Sequence, residues 1–283
     1  MEFPSTVPVS IENFTAPDAR LHVEVRGHGP VLALIGCPMD ADAFGPLADQ
    51  MAADHTVITT DPRGINRSTV DNPDCDVTPE MLADDLALIL GHLGISSAAV
   101  FGSSGGAVSA LALAIAHPAL VHTVVAHEPP LDELLADSDR LRAETDDIVA
   151  TYLSGDVAGA WAKFLAQANI DVGAKDLAAD RTVEPDPQVV ADERFFFEHT
   201  LRPSTRWQPD LEALRTGWPR IVVGIGDASS GQSCDHTSRA LAAALGVAPI
   251  NFPGDHIGFT RHPGAFATLL RVALAPVDAR PTS

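Results

Sequence analysis

Short apolar runs of strand type alternate with helical patterns along most of this chain, and that alternation leaves few folds open. VLALI (31–35) is a continuous apolar run bounded by Gly and Pro, as expected of a buried strand. Helix AFGPLADQMAA (43–53), strand HTVITT (55–60) and helix TPEMLADDLALILGHLG (78–94) follow. In the last of these, Thr78 can cap the N-terminus, and Leu82, Leu86, Leu90 and Leu93 recur at helical spacing. Strand AAVFG (98–102), helix SGGAVSALALAIAHP (104–118) and strand LVHTVVA (120–126) continue the series. Two earlier strands are expected near Val7–Phe14 and Leu21–Val25. The pattern predicts an α/β fold, a doubly wound and mostly parallel sheet.

Between Leu131 and Leu214 the alternation stops, and the chain turns helical or irregular. It resumes with RIVVGIG (220–226), a helix around Ser238–Leu245, PINF (249–252) and a last helix near Gly264–Leu274. A gap of roughly 80 residues is too long for a loop. It reads as a helical cap inserted over the C-terminal edge of the sheet, where such sheets bind ligands. The expected organisation is a core of residues 1–130 and 215–283 with a cap of residues 131–214.

The strongest chemical signal is Gly102-Ser103-Ser104-Gly105-Gly106, read as G-x-S-x-G. It follows an apolar strand and opens a helix, the context a nucleophile elbow requires. Small residues must flank the tight turn, Ser104 projects above the sheet, and the helix N-terminus favours a developing anion. The plainer alternative is a Gly/Ser turn with Ser104 as an ordinary helix cap. A serine nucleophile needs a base, which in this kind of sheet comes late, after the final strand. NFPGDHIGF (251–259) supplies His256 there, following a strand and a Pro-Gly turn. One oxyanion donor is the Gly105 amide, and the other is expected from GCPMD (36–40), where the Cys37 amide is the candidate.

Two acids compete for the third position. Asp227 closes the strand IVVGIG. Glu128 follows the strand after the elbow helix. That helix runs about 21 Å away at 1.5 Å per residue. The strand returns about 23 Å at 3.3 Å per residue, which brings Glu128 back beside Ser104. Position favours Glu128, with Asp227 kept as the alternative. Asp255, next to the base, is expected to point elsewhere.

Other chemistries fit poorly. Lys+Arg 18 against Asp+Glu 38 gives a net charge of −20, which disfavours nucleic acid and anionic membranes as partners. Cys37, Cys75 and Cys234 lie far apart and form no zinc motif or disulfide framework. HEPPL (127–131) is no metalloprotease helix, since two prolines interrupt it, and GIGDAS (224–229) lacks the third glycine of a dinucleotide fingerprint. No cofactor or metal is therefore expected. The N-terminus carries no signal-peptide pattern and no apolar run is long enough to span a membrane, so a cytoplasmic protein is expected. Nothing fixes the oligomeric state, and a homodimer stays open.

Together these segments resemble the α/β-hydrolase superfamily. DPRGINRS (61–68) is similar to its D-x-R-G-x-G-x-S loop, with Asn66 for the second Gly. IGCP (35–38) is similar to its H-G-x-P oxyanion loop, with Ile35 for His. A serine nucleophile sets it apart from haloalkane dehalogenases and soluble epoxide hydrolases. GSSGGAVSALALAIAHP, AHEPP, GIGDASSG and FPGDHIGF are similar to zearalenone hydrolases, lactonases of a resorcylic macrolactone with a helical cap. That resemblance implies a Ser104–His256–Glu128 triad and a small ester or lactone as substrate.

Pro38, Ser103, Trp161, Phe196, Trp207 and Ile257 are candidates for the pocket wall, with Phe164, Phe195 and Phe197 beside them. For the aromatic residues the alternative is packing of the cap onto the core. Arg194, Arg202 and Arg206 could hold an anionic substrate or lie on the surface. The leading expectation is a serine hydrolase of esters or lactones. Carbon–carbon bond hydrolysis or perhydrolysis by the same triad, or a small-ligand receptor with a slow triad, are the alternatives.

Overall fold

The computed structural model describes residues 7–169 and 186–275. Within them nine strands form one sheet. β1 (Val9–Ala16), β2 (Ala19–Gly27), β3 (Val31–Ile35), β4 (Thr56–Thr60), β5 (Thr69–Val70), β6 (Ala98–Ser103), β7 (Val121–His127), β8 (Arg220–Gly226) and β9 (Ile250–Phe252) follow in chain order. Their spatial order is β1-β2-β4-β3-β6-β7-β8-β9, with β5 added beside β2. From β4 to β9 every pairing is parallel, while β1 and β2 form an antiparallel margin. β5 was not expected, being two residues long and too short to show a period.

Strand β3 shows how the sheet holds two cores. Ala33 and Ile35 enter one apolar cluster, and Leu32 and Leu34 enter the other, following the two-residue alternation of a strand. α1 (Ala41–Met51) and α10 (Pro263–Leu274) cover one face, contributing Phe44, Met51, Phe266 and Leu270. α2 (Pro79–His92), α3 (Gly105–Ala116) and α9 (Ser233–Leu245) cover the other, contributing Leu86, Leu111 and Leu241. The Thr78 side chain accepts from the Met81 amide, which starts α2 at the expected place. Helix α9 begins earlier than its apolar stretch suggested, because Cys234 and Thr237 of its first turns are also buried.

The insertion between β7 and β8 is helical as expected, though residues 170–185 lie outside the described residues. It contains α4 (Ser138–Leu153), α5 (Val157–Ala168) and α6 (Pro187–Phe195). A π-turn at Phe196–Thr200 leads into α7 (Leu201–Thr205), and α8 (Leu211–Thr216) returns the chain to the sheet. The insertion has its own small core of Ile148, Val149, Ala160, Phe196, Phe197 and Leu201, edged by Tyr152, Trp161 and Phe164. Among the described residues no helix is long and apolar enough to cross a membrane.

Trp207 joins the insertion to the main core rather than to the small one. Its indole N–H donates to Glu80 Oε1 at 2.6 Å, at the start of α2. Trp207→Ala removes a buried ring and its hydrogen bond together. It is expected to cost about 3–5 kcal/mol of stability, read as a fall in the urea midpoint. A shift of under 1 kcal/mol, roughly the scale of a surface substitution, would show that the ring does not fasten the insertion.

Candidate active site

Three chain segments separated widely in sequence meet at the C-terminal ends of β6, β7, β8 and β9. The parallel register pairs Ser103 with His127, so the next residues, Ser104 and Glu128, leave the sheet side by side. The Ser104 amide donates to the His127 carbonyl at 3.0 Å, and the Glu128 amide donates to the Gly224 carbonyl at 3.0 Å. Both residues take a left-handed backbone, Ser104 with φ +57° and Glu128 with φ +51°. Such conformations cost about 1–3 kcal/mol each and persist where the surrounding structure fixes them.

Ser104 heads α3, but its side chain makes no capping hydrogen bond. The hydroxyl is thus not spent on the helix, and the ordinary-cap alternative fails. Gly105 packs so closely on the next loop that a Cβ there would lie 2.7 Å from the Cys37 carbonyl oxygen. That contact brings the Cys37 and Gly105 segments together, the pair expected to hold an oxyanion. Among the described residues neither amide donates a hydrogen bond within the protein. Burial pushes the Cys37 thiol up to about 12 despite hydrogen bonds with Thr200 and Ser204. It is therefore neutral, and the loop that carries it packs against Phe195 of the insertion.

Glu128 is fully buried. Its Oε2 accepts from His256 Nδ1 at 2.6 Å, and its Oε1 accepts from the Gly226 amide at 2.8 Å. The Cys234 thiol donates to the same Oε2 at 3.2 Å. Burial is the largest influence and would raise the Glu128 pKa, but the hydrogen bond from His256 and the other polar groups around the carboxyl together outweigh it and hold it well below the usual carboxylate range. The carboxylate is charged and fixes His256 with Nδ1–H inward, leaving Nε2 free to accept a proton. Asp227 does other work, accepting from the Gly254 amide at 2.8 Å and so shaping the turn that carries His256. Asp255 points away, to the Ile257 amide and the Arg261 guanidinium.

The expected wall residues divide. Pro38 and Ile257 are half-buried, flanking Cys37 and His256. Ser103 is turned inward, because the strand alternation sends it below the elbow, where its hydroxyl meets His127 Nδ1 at 3.1 Å. Trp161 and Phe196 belong to the small core of the insertion, and the Trp161 N–H donates to Glu193 Oε2 at 2.5 Å. Trp207 is the anchor described above. Phe195 packs instead with Cys37, Ile65, Val77 and Leu82, against the loop 61–68. The three arginines are committed, Arg194 to Glu198 and both Arg202 and Arg206 to Asp146.

That loop explains its own departure from the usual glycine. Asn66 has φ +50°, a conformation asparagine tolerates, and its side chain donates to Asp40 Oδ2 at 2.8 Å. Gly64 has φ +79°, and a side chain there would strike the Phe195 ring. Asp61, fully buried, accepts from the Ala41 amide and from Arg67, while the Asn66 amide donates to Asp192 and so fastens the loop to α6.

Two residues near the site were not anticipated. Cys234 gave no sign in the sequence of reaching Glu128. His127 was dismissed with the interrupted HExxH reading, yet it is fully buried among Phe101, Phe252, Phe259 and Phe266, 6.5 Å from the His256 ring. Burial drives its pKa down from 6.5 to about 4, so it is neutral. The folded value lies below the unfolded one, so the stability this adds is complete above pH 6.5 and fades as pH falls toward 4. The neutral form is favoured by about 3 kcal/mol. The unfolding free energies of the wild type and His127→Leu should therefore separate by about that much more at pH 7 than at pH 4. A difference independent of pH would mean that His127 does not titrate on unfolding.

Residues 29–166 match the family model described as alpha/beta hydrolase fold. The chain is 31% identical to the uncharacterized hydrolase YraK of Bacillus subtilis over 93% of this chain and 96% of that protein. It is 29% identical to a zearalenone hydrolase of Bionectria ochroleuca over 87% and 90% of the two chains. Among solved structures, an alpha/beta hydrolase enzyme from a Medee basin deep-sea metagenome library, MGS-M2, superposes with a TM-score of 0.76. It is 15% identical, with 95% of this chain and 100% of that one covered.

Proposed function

This chain belongs to the α/β-hydrolase family, and on that premise we propose that it is a serine hydrolase of carboxylic esters or lactones. The observation that carries the reading is the hydrogen bond of 2.6 Å between buried Glu128 and half-buried His256, beside an elbow whose serine hydroxyl caps nothing. In this scheme His256 Nε2 takes the proton of Ser104 as Oγ attacks the substrate carbonyl. The Cys37 and Gly105 amides hold the oxyanion, and Glu128 stabilises the imidazolium. His256 returns the proton to the leaving oxygen, and water then releases the acyl group from Ser104. These steps use only protein groups, so the scheme calls for no cofactor.

The substrate reading is narrower. The inserted helices act as a cap over the elbow, with Thr200 and Ser204 placed against the oxyanion loop. Half-buried Pro38 and Ile257 beside the site, and the zearalenone hydrolase relative, support a lactone or ester with an apolar acyl part. A lactone would leave no separate alcohol, so both halves stay on Ser104 until water arrives.

The test is labelling by a fluorophosphonate probe, with the modified residue located by mass spectrometry, followed by a panel of macrolactones and aryl esters. Labelling of Ser104 in the wild type, and none in Ser104→Ala, is expected. A folded wild-type protein that resists the probe and hydrolyses none of the panel would overturn the reading. Such a protein would instead be screened as a small-ligand receptor.

A further inference from the structure

We infer that Glu128, Cys234 and His256 together form a binding site for one thiophilic divalent cation of the zinc or cadmium kind, whose occupation switches the triad off. Cys234 Sγ lies 3.2 Å and His256 Nδ1 2.6 Å from the same oxygen, Glu128 Oε2. The three donor atoms all lie within 4.8 Å of one another. Tetrahedral zinc takes sulfur at about 2.3 Å and nitrogen or oxygen at about 2.0–2.2 Å, which spaces its donors by about 3.3–3.7 Å. The thiol–carboxylate pair nearly has that spacing already. The His256 ring must withdraw by about 1 Å, and it sits on a turn after the short strand β9.

The donor set selects the cation. One thiol, one imidazole and one carboxylate suit zinc-like ions, whereas calcium and magnesium require shells of oxygen. The charges also close, since a carboxylate and a thiolate balance a divalent ion. Two of the donors are buried and the third, His256, is half-buried, so an ion can reach the cluster from the His256 side.

Binding rearranges two protons. The Cys234 thiol proton goes to solvent as the S–metal bond forms. The imidazole stays neutral but gives Nδ1 to the ion, so its proton moves to Nε2. In that tautomer Nε2 is a donor and cannot accept the proton of Ser104. The ion therefore stops the reaction without touching the nucleophile. This inhibitory half rests on the hydrolase reading above, and the binding half does not.

The experiment separates the two. Cys75 is exposed and lies outside the site, so Cys75→Ser serves as the background. Metal-free Cys75→Ser protein is titrated with Cd2+, reading the thiolate-to-cadmium charge-transfer absorbance. Saturation at one ion per chain is expected. The absorbance should vanish in Cys75→Ser/Cys234→Ala, and also in Cys75→Ser/Cys234→Ser, which keeps a hydroxyl toward Glu128 should the alanine variant misfold. In parallel, fluorophosphonate labelling of Ser104 should slow at least tenfold with bound Cd2+ and recover on chelation. In each Cys234 variant, labelling should proceed at that variant's own rate whether or not Cd2+ is present. No stoichiometric absorbance in Cys75→Ser, or absorbance that survives loss of Cys234, overturns the site. Stoichiometric binding with undiminished labelling overturns the switch. Failure to label without any ion overturns the hydrolase reading, while the absorbance still decides the site.

Discussion

Ser104→Ala is expected to lower turnover of any ester or lactone substrate by about a millionfold, the scale seen when a triad nucleophile is removed. The substitution deletes one half-buried oxygen that caps no helix. Alanine tolerates φ +57° no worse than serine does, because both carry a Cβ. The urea midpoint should therefore stay within the error of the measurement. Loss of activity at unchanged stability isolates the chemistry from the fold. Hydrolysis within tenfold of the wild type would mean that the elbow is not the reacting centre.

Glu128→Gln should cost about 10⁴-fold in kcat, and Asp227→Asn less than about tenfold. Glutamine keeps the shape and can still accept from the Gly226 amide through its oxygen. Its amide group then faces His256 Nδ1 and favours the tautomer that cannot act as a base. Among the described residues the Asp227 side chain hydrogen-bonds the Gly254 amide alone, and asparagine can accept that hydrogen bond equally well. The comparison needs one substrate from the panel and the two variants at matched folded content. A larger loss at Asp227 would transfer the acid role to it.

The sheet was readable because its central strands are mostly apolar and the helices between them have a period, a cap or a continuous apolar run. VLALI and RIVVGIG became β3 and β8 at their expected limits. Two-residue β5 carried no pattern, and the early start of α9 depended on tertiary burial of Cys234 and Thr237. For the candidate site, the return of β7 to the elbow was a matter of lengths. The register of β6 on β7 places Glu128 next to Ser104 as that arithmetic suggested. What the hydroxyl of Ser103 or the ring of Trp207 would touch could not be read. Those contacts depend on how the inserted helices lie against the core, and no short-range pattern encodes that. Aromatic residues such as Trp161 and Phe196 look alike in sequence whether they face a ligand or one another.

The order in which the site is written along the chain has a consequence for synthesis. The proposed nucleophile Ser104 and acid Glu128 directly follow β6 and β7, while the proposed base His256 comes more than a hundred residues later, after β9. A nascent chain folding from its N-terminus would hold a formed elbow with no proton acceptor beside it. Among the described residues strand β9 pairs only with β8, so it can dock last, onto a sheet already built. Under the proposed mechanism, such an intermediate would be chemically silent until β9 and His256 arrive. A message truncated before His256 would yield a protein able to assemble most of the sheet and unable to attack anything.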